Sequence, residues 1–199
     1  SGFFSDVVAA IYWAVEGEDG IAGTADDFNA DGISMSLGTS QPYTYKGFCD
    51  NVLPDLTNAI KYARGRSVIV VVAAGNSGSA GVSIPGCISY STTVGAVDSK
   101  DKIATFSGKG KAVDISAPGV SIFSSWLGND YKTASGTSMA TPMASGAAAL
   151  IKKAHPGYTV AQTEDALFKT AKDLGKAGKD TSYGWGREDA YGAVNYAAP

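Results

Sequence analysis

Histidine is nearly absent from this chain of 199 residues; the single copy is His155. Chemistry that calls on an imidazole base therefore has one candidate inside the sequence. Cysteine is almost as scarce. Cys49 and Cys87 form neither a metal-binding cluster nor a C-x-x-C redox pair. They are either one disulfide of an exported protein or two buried thiols, because spacing along a chain does not disclose separation in space. Positive charge is not in excess: a net charge of −3 removes the electrostatic case for nucleic acid or an anionic membrane as partner. No apolar run reaches about 18 residues, so no segment is predicted to span a bilayer. The opening Ser1-Gly2-Phe3-Phe4-Ser5-Asp6 lacks a basic stretch followed by an apolar one, and reads as the interior of a fold rather than as a leader.

What is present is hydrophobic content of 44% with 25 glycines, enough apolar surface for a real core joined by tight turns. Ser5 is a candidate N-cap for a helix with Val7, Val8, Ile11, Tyr12 and Val15 on one face. A strand is predicted over Ile33–Leu37, and a helix from Asp55 to Arg64 closed by Gly65 in the left-handed conformation. Ser67–Ala73 is a continuous β-branched run, expected of a strand covered on both faces. Further strands are expected at Thr92–Val97 and Val113–Ser116. Ser138 to about Ala154 is apolar nearly all round, which predicts a buried helix. Thr159 and Gln162 have capping-box spacing for a helix to about Ala171, and a short helix follows near Gly192–Tyr196. Helices alternating with apolar strands indicate α/β layers around a mostly parallel sheet, and no repeat or linker divides residues 1–199.

Two segments carry chemistry. A serine hydroxyl is a weak nucleophile until a base takes its proton, and Ser138 stands in a small-residue turn, Ser135-Gly136-Thr137-Ser138, at the start of the apolar helix. An acyl-transfer site also needs donors for the oxyanion, and Asn76 follows the buried strand in Ala73-Ala74-Gly75-Asn76, at the end where open α/β sheets keep their sites. Alone, Asn76 suits a turn and Ser138 suits close helix packing. Together, Gly136-Thr137-Ser138-Met139-Ala140-Thr141-Pro142 and Ala74-Gly75-Asn76 resemble the subtilases, the subtilisin-like serine peptidases. Ile33-Ser34-Met35-Ser36-Leu37-Gly38, Phe106-Ser107-Gly108, Asp114-Ile115-Ser116-Ala117-Pro118-Gly119 and Gly184-Trp185-Gly186-Arg187 extend the likeness in order along nearly the whole chain.

The resemblance implies a three-layer subtilisin-like α/β fold, incomplete at its amino-terminal end, and peptide-bond hydrolysis through an acyl-enzyme on Ser138 with Asn76 as oxyanion donor. A peptide or protein substrate is expected to bind as an added strand between Gly2 and the wall Ser36, Leu37 and Gly38. Ala73, Ala74 and Gly75 line the pocket for the side chain before the scissile bond, while Phe4, Val7 and Leu37 match a more distant apolar subsite. Met143 stands where relatives often carry a non-catalytic histidine.

The family order is Asp, His, Ser, and no histidine precedes Ser138. His155 lies 17 positions later on the same predicted helix, roughly 26 Å away at 1.5 Å per residue, so it cannot serve as base. None of Asp6, Asp19 and Asp31 sits in the family's Asp-Ser/Thr-Gly motif. The chain is therefore expected to be the carboxyl-terminal portion of a subtilase, inactive alone, partnered by an amino-terminal portion that supplies Asp and His, and secreted. The alternative is a non-catalytic subtilase-like peptide-binding module.

Glu16, Glu18, Asp19, Asp26, Asp27 and Asp31 crowd a glycine-containing loop where some subtilases bind Ca²⁺; Asp26 and Asp27 are the candidate ligands, and a solvated acidic loop is the plain reading. Gly75, Gly78 and Gly81 have neither the spacing nor the following helix of a nucleotide loop. A G-x-S-x-G elbow is excluded by Ala140.

Overall fold

The computed structural model describes residues 2–198. Its centre is a parallel sheet of four strands, β1 (Gly32–Met35), β3 (Ile69–Ala73), β5 (Thr92–Val97) and β6 (Ile115–Pro118), in the order β1-β3-β5-β6. Ile33 pairs with Val70, Val72 with Thr93, and Gly95 with Ser116. All five residues of β3 are buried, because side chains alternate between two covered faces. Val70 and Val72 join Ile11, Leu56 and Ile60 beneath α1 (Phe4–Glu16) and α2 (Pro54–Gly65). Ile69 and Val71 join Ala140, Ala144, Ile151 and Leu167 beneath α3 (Thr137–Ala154), α4 (Val160–Thr170) and α5 (Ala190–Val194). This is the helix–sheet–helix layering expected of a subtilisin-like fold.

Most predicted elements occur, with instructive displacements. Ser5 is not the cap of α1: the helix starts at Phe4, the capping position is Phe3, and the Ser5 hydroxyl turns to Asp6. Gly65 does not terminate α2 in the left-handed region. It stays helical, and Ser67 takes the positive φ of 64° where the chain turns into β3. The capping box of α4 forms in full, Thr159 accepting from the Gln162 N–H and Gln162 accepting from the Thr159 N–H. α3 is not buried all round: it is open along Met143 (40% exposed) and Leu150 (56% exposed), with Gly146 between them. Two small antiparallel pairs have no counterpart in the sequence reading. One joins β2 (Thr44–Tyr45) to β4 (Val82–Ser83); the other is the hairpin of β7 (Ile122–Trp126) and β8 (Asp130–Ala134). The hairpin's signal was Gly128-Asn129, both at positive φ, as a tight reversal requires.

Cys49 and Cys87 are bonded as a disulfide, with Cα atoms 5.3 Å apart. Among the described residues no helix is long and apolar enough to cross a membrane.

Candidate functional site

The carboxyl ends of β1 and β3 open into a cleft of about 550 Å³. Ser36, Leu37 and Gly38 line it where β1 ends, Ala73, Gly75 and Asn76 where β3 ends, Thr137 and Ser138 at the start of α3, and Gly2, Phe4 and Val7 at the start of the chain and along α1. The two chemistry-bearing segments, 62 residues apart in sequence, thus face one groove. Ala74 does not line it. Its side chain lies in the core below, because consecutive residues of an extended segment point to opposite sides.

Ser138 is held in place by a feature of its own helix. Pro142 has no N–H, so the Ser138 carbonyl loses its partner four residues on. Ser36 replaces it: its hydroxyl donates to the Ser138 carbonyl at 2.9 Å, and the Ser138 hydroxyl donates back to the Ser36 carbonyl at 3.3 Å. The second of these is long, and leaves the Ser138 hydroxyl weakly engaged. Its position in the first turn of an 18-residue helix sets it in the positive end of the dipole.

Asn76 is oriented by Thr137. Its Oδ1 accepts from the Thr137 N–H at 3.0 Å and from the Thr137 hydroxyl at 3.1 Å, which leaves the carboxamide nitrogen as the donor facing the groove. The same hydroxyl accepts from the Gly75 N–H at 3.1 Å. Thr137 therefore ties the end of β3 to the start of α3, a role the sequence reading missed. Its signal was adjacency to Ser138 combined with a side chain able to donate and accept at once. Gly75 adopts φ of 86°, a conformation that favours glycine, and a Cβ there or on Gly38 would collide with the Ser83 hydroxyl behind both.

His155 is remote from the cleft. It caps the far end of α3, its N–H bonding the Ile151 carbonyl at 2.8 Å, its Nε2 lying 2.8 Å from the Val194 carbonyl, and its ring stacking on Tyr158.

The acidic loop is organised around hydrogen bonds. Asp26 accepts from the Glu18 and Asp19 N–H groups at 2.7 and 2.9 Å and from the Thr24 hydroxyl at 2.7 Å. Those bonds, that from Thr24 foremost, hold its carboxyl down at a pKa of about 2. Asp27 accepts from the Gly23 N–H at 2.6 Å. The carboxylates thus satisfy the loop's own backbone, and among the described residues no three acidic, histidine or cysteine side chains gather as a cation would require. In this arrangement the Asp26 and Asp27 carboxylates are engaged by the loop's own donors.

Fold and cleft together define an α/β protein with a serine at a helix start and a carboxamide across a groove, both at the carboxyl edge of a parallel sheet. The model of the Subtilase family matches residues 1–186, and the chain belongs to that family. It is similar to "Thermophilic serine proteinase" of Bacillus sp. (strain AK1), 38% identical over 196 residues covering 98% of this chain and 43% of that protein. It is 36% identical to "Subtilisin DY" of Bacillus licheniformis over 88% of this chain and 58% of the relative. With "Subtilisin Savinase" of Lederbergia lenta the identity is 35% over 98% and 63%. The chain spans about half the length of the curated relatives it matches.

Proposed function

We propose that this chain is the nucleophile-bearing portion of a secreted serine endopeptidase. The observation that carries the proposal is the shared cleft, with Ser138 at its rim and the Asn76 carboxamide turned by Thr137 so that a donor faces the groove. In this reading the Ser138 oxygen attacks a peptide carbonyl, and the Asn76 Nδ2 and the Ser138 N–H donate to the oxyanion that forms. The substrate lies as an extended strand between Gly2 and Ser36–Gly38, one side chain entering the pocket bounded by Ala73 and Gly75 on one side and Gly38–Thr39 on the other. The base and its orienting carboxylate come from an amino-terminal portion. Within this chain the Ser138 hydroxyl donates to the Ser36 carbonyl, a group that cannot take its proton.

The test is hydrolysis of a chromogenic peptide and labelling by a fluorophosphonate, on the isolated chain and on the chain joined to its amino-terminal portion. Turnover by the joined protein only, abolished in Ser138→Ala, supports the proposal. A joined protein that binds the peptide and never cleaves it would instead be the non-catalytic binding module.

A further inference from the structure

The disulfide lies behind the cleft, and the hydrogen bonds around it converge on one short turn. Residues 83–88 start at the last residue of β4 and carry Cys87. The Cys49 N–H donates to the Cys87 carbonyl at 3.0 Å, and the Cys87 N–H donates to the Ser83 carbonyl at 3.0 Å. From there the turn reaches both cleft walls. Toward Gly38–Thr39, the Thr39 N–H donates to the Ile84 carbonyl at 3.1 Å and the Ile84 N–H donates to the Thr39 hydroxyl at 3.0 Å. Toward Ala74–Gly75, the Ser83 N–H donates to the Ala74 carbonyl at 3.0 Å. The Ser83 hydroxyl is fully buried, has no hydrogen-bond partner, and stands where a Cβ on either Gly38 or Gly75 would strike it. It acts as a spacer between the two walls. The turn is braced from below by the Thr93 hydroxyl on the Gly86 carbonyl, and its covalent anchor is Cys87.

We propose that the Cys49–Cys87 disulfide is a positioning element of the substrate cleft: it fixes the turn at 83–88, and through it the separation of the Gly38–Thr39 and Ala74–Gly75 walls. Cys49 and Cys87 are fully or almost fully buried and touch no substrate. They act through Ser83 and Ile84. The walls they space are those between which the substrate side chain is placed above, so the kinetic consequence rests on the proposed peptidase reading, whereas the structural one does not. Loosening the turn lets the pocket widen and costs binding of a side chain that fills it. Ser138 and Asn76, held by Ser36 and Thr137 rather than by the turn, keep their geometry.

The experiment replaces the disulfide by the packing-preserving pair Cys49→Ala with Cys87→Val, in the protein joined to its amino-terminal portion. Cys49→Ala with Cys87→Ala controls for the added methyl groups. Amide hydrogen exchange is read first. Protection of the Thr39, Ser83, Ile84 and Cys87 amides is expected to fall at least about tenfold more than that of Ile151 and Leu167 in the opposite layer. The second readout is kinetic. KM for peptides with a bulky apolar side chain before the scissile bond is expected to rise about tenfold with kcat within about twofold, and KM for peptides with alanine there to change little. A uniform loss of protection, unchanged protection in the turn, or an equal loss in kcat for both peptides would overturn the proposal. Failure of both pairs to fold would also overturn it, by making the disulfide a general staple. Absence of turnover from the disulfide-intact joined protein would sink the peptidase reading alone, since hydrogen exchange still decides what the disulfide holds.

Discussion

Asn76 can serve as a donor only because Thr137 occupies its oxygen. Asn76→Leu in the joined protein is expected to lower kcat about 10²–10³-fold with KM little changed, the range observed for losing such a donor in a subtilisin. Thr137→Val removes the hydroxyl that restrains the carboxamide and should lower kcat about tenfold, while Thr137→Ser keeps most of the rate; steady-state kinetics on the three variants checks both. Glu188 presents a different residue-scale problem. It is 8% exposed with Oε2 unpaired, and burial raises its pKa from 4.5 to about 7 against the opposing pull of Arg187. The folded state therefore holds this proton more tightly than the unfolded chain does. The resulting stability is complete below pH 4.5, declines from there and is lost as pH rises through about 7. Glu188→Gln should melt higher than the parent at pH 8–9 and equal to it near pH 4, as read by thermal denaturation.

At the scale of elements, α3 shows how one residue links sequence to site. Proline inside a helix ordinarily breaks it, yet Pro142 in the second turn only frees the Ser138 carbonyl for Ser36. The Gly136–Pro142 motif was legible in the sequence because it is local: seven consecutive residues define a turn and a helix start. The capping box of α4 was legible for the same reason, and Thr159→Ala should cost about 1 kcal/mol by chemical denaturation. Composition put Asp26 and Asp27 forward as Ca²⁺ ligands because it reports carboxylates and not their partners. Asp26 and Asp27 already accept from the loop's own N–H groups, so the melting temperature should be indifferent to EDTA and to added Ca²⁺. Asp26 has its pKa lowered, so the order it lends the loop is present above pH 3.8 and lost as pH falls through about 2. The amide resonances of Glu18 and Asp19 would follow that loss.

Across the whole molecule, the disulfide encloses a span of 38 residues containing α2, β3 and Asn76. By loop-closure entropy its removal should cost about 3–4 kcal/mol in denaturant unfolding, separately from any effect on the cleft. What the sequence determined by itself was whatever neighbours along the chain decide: strands from β-branched runs, helices from periodicity, the serine and asparagine motifs, and the distance of His155 from Ser138 along one helix. The tertiary structure alone decided which distant groups meet. It turned Ala74 away from the cleft, assigned Thr137 to hold Asn76, gave Ser36 to the carbonyl that Pro142 leaves free, and joined Cys49 to Cys87 behind the walls. The physical reason is that such partnerships depend on close packing between segments tens of residues apart, and no local propensity records them.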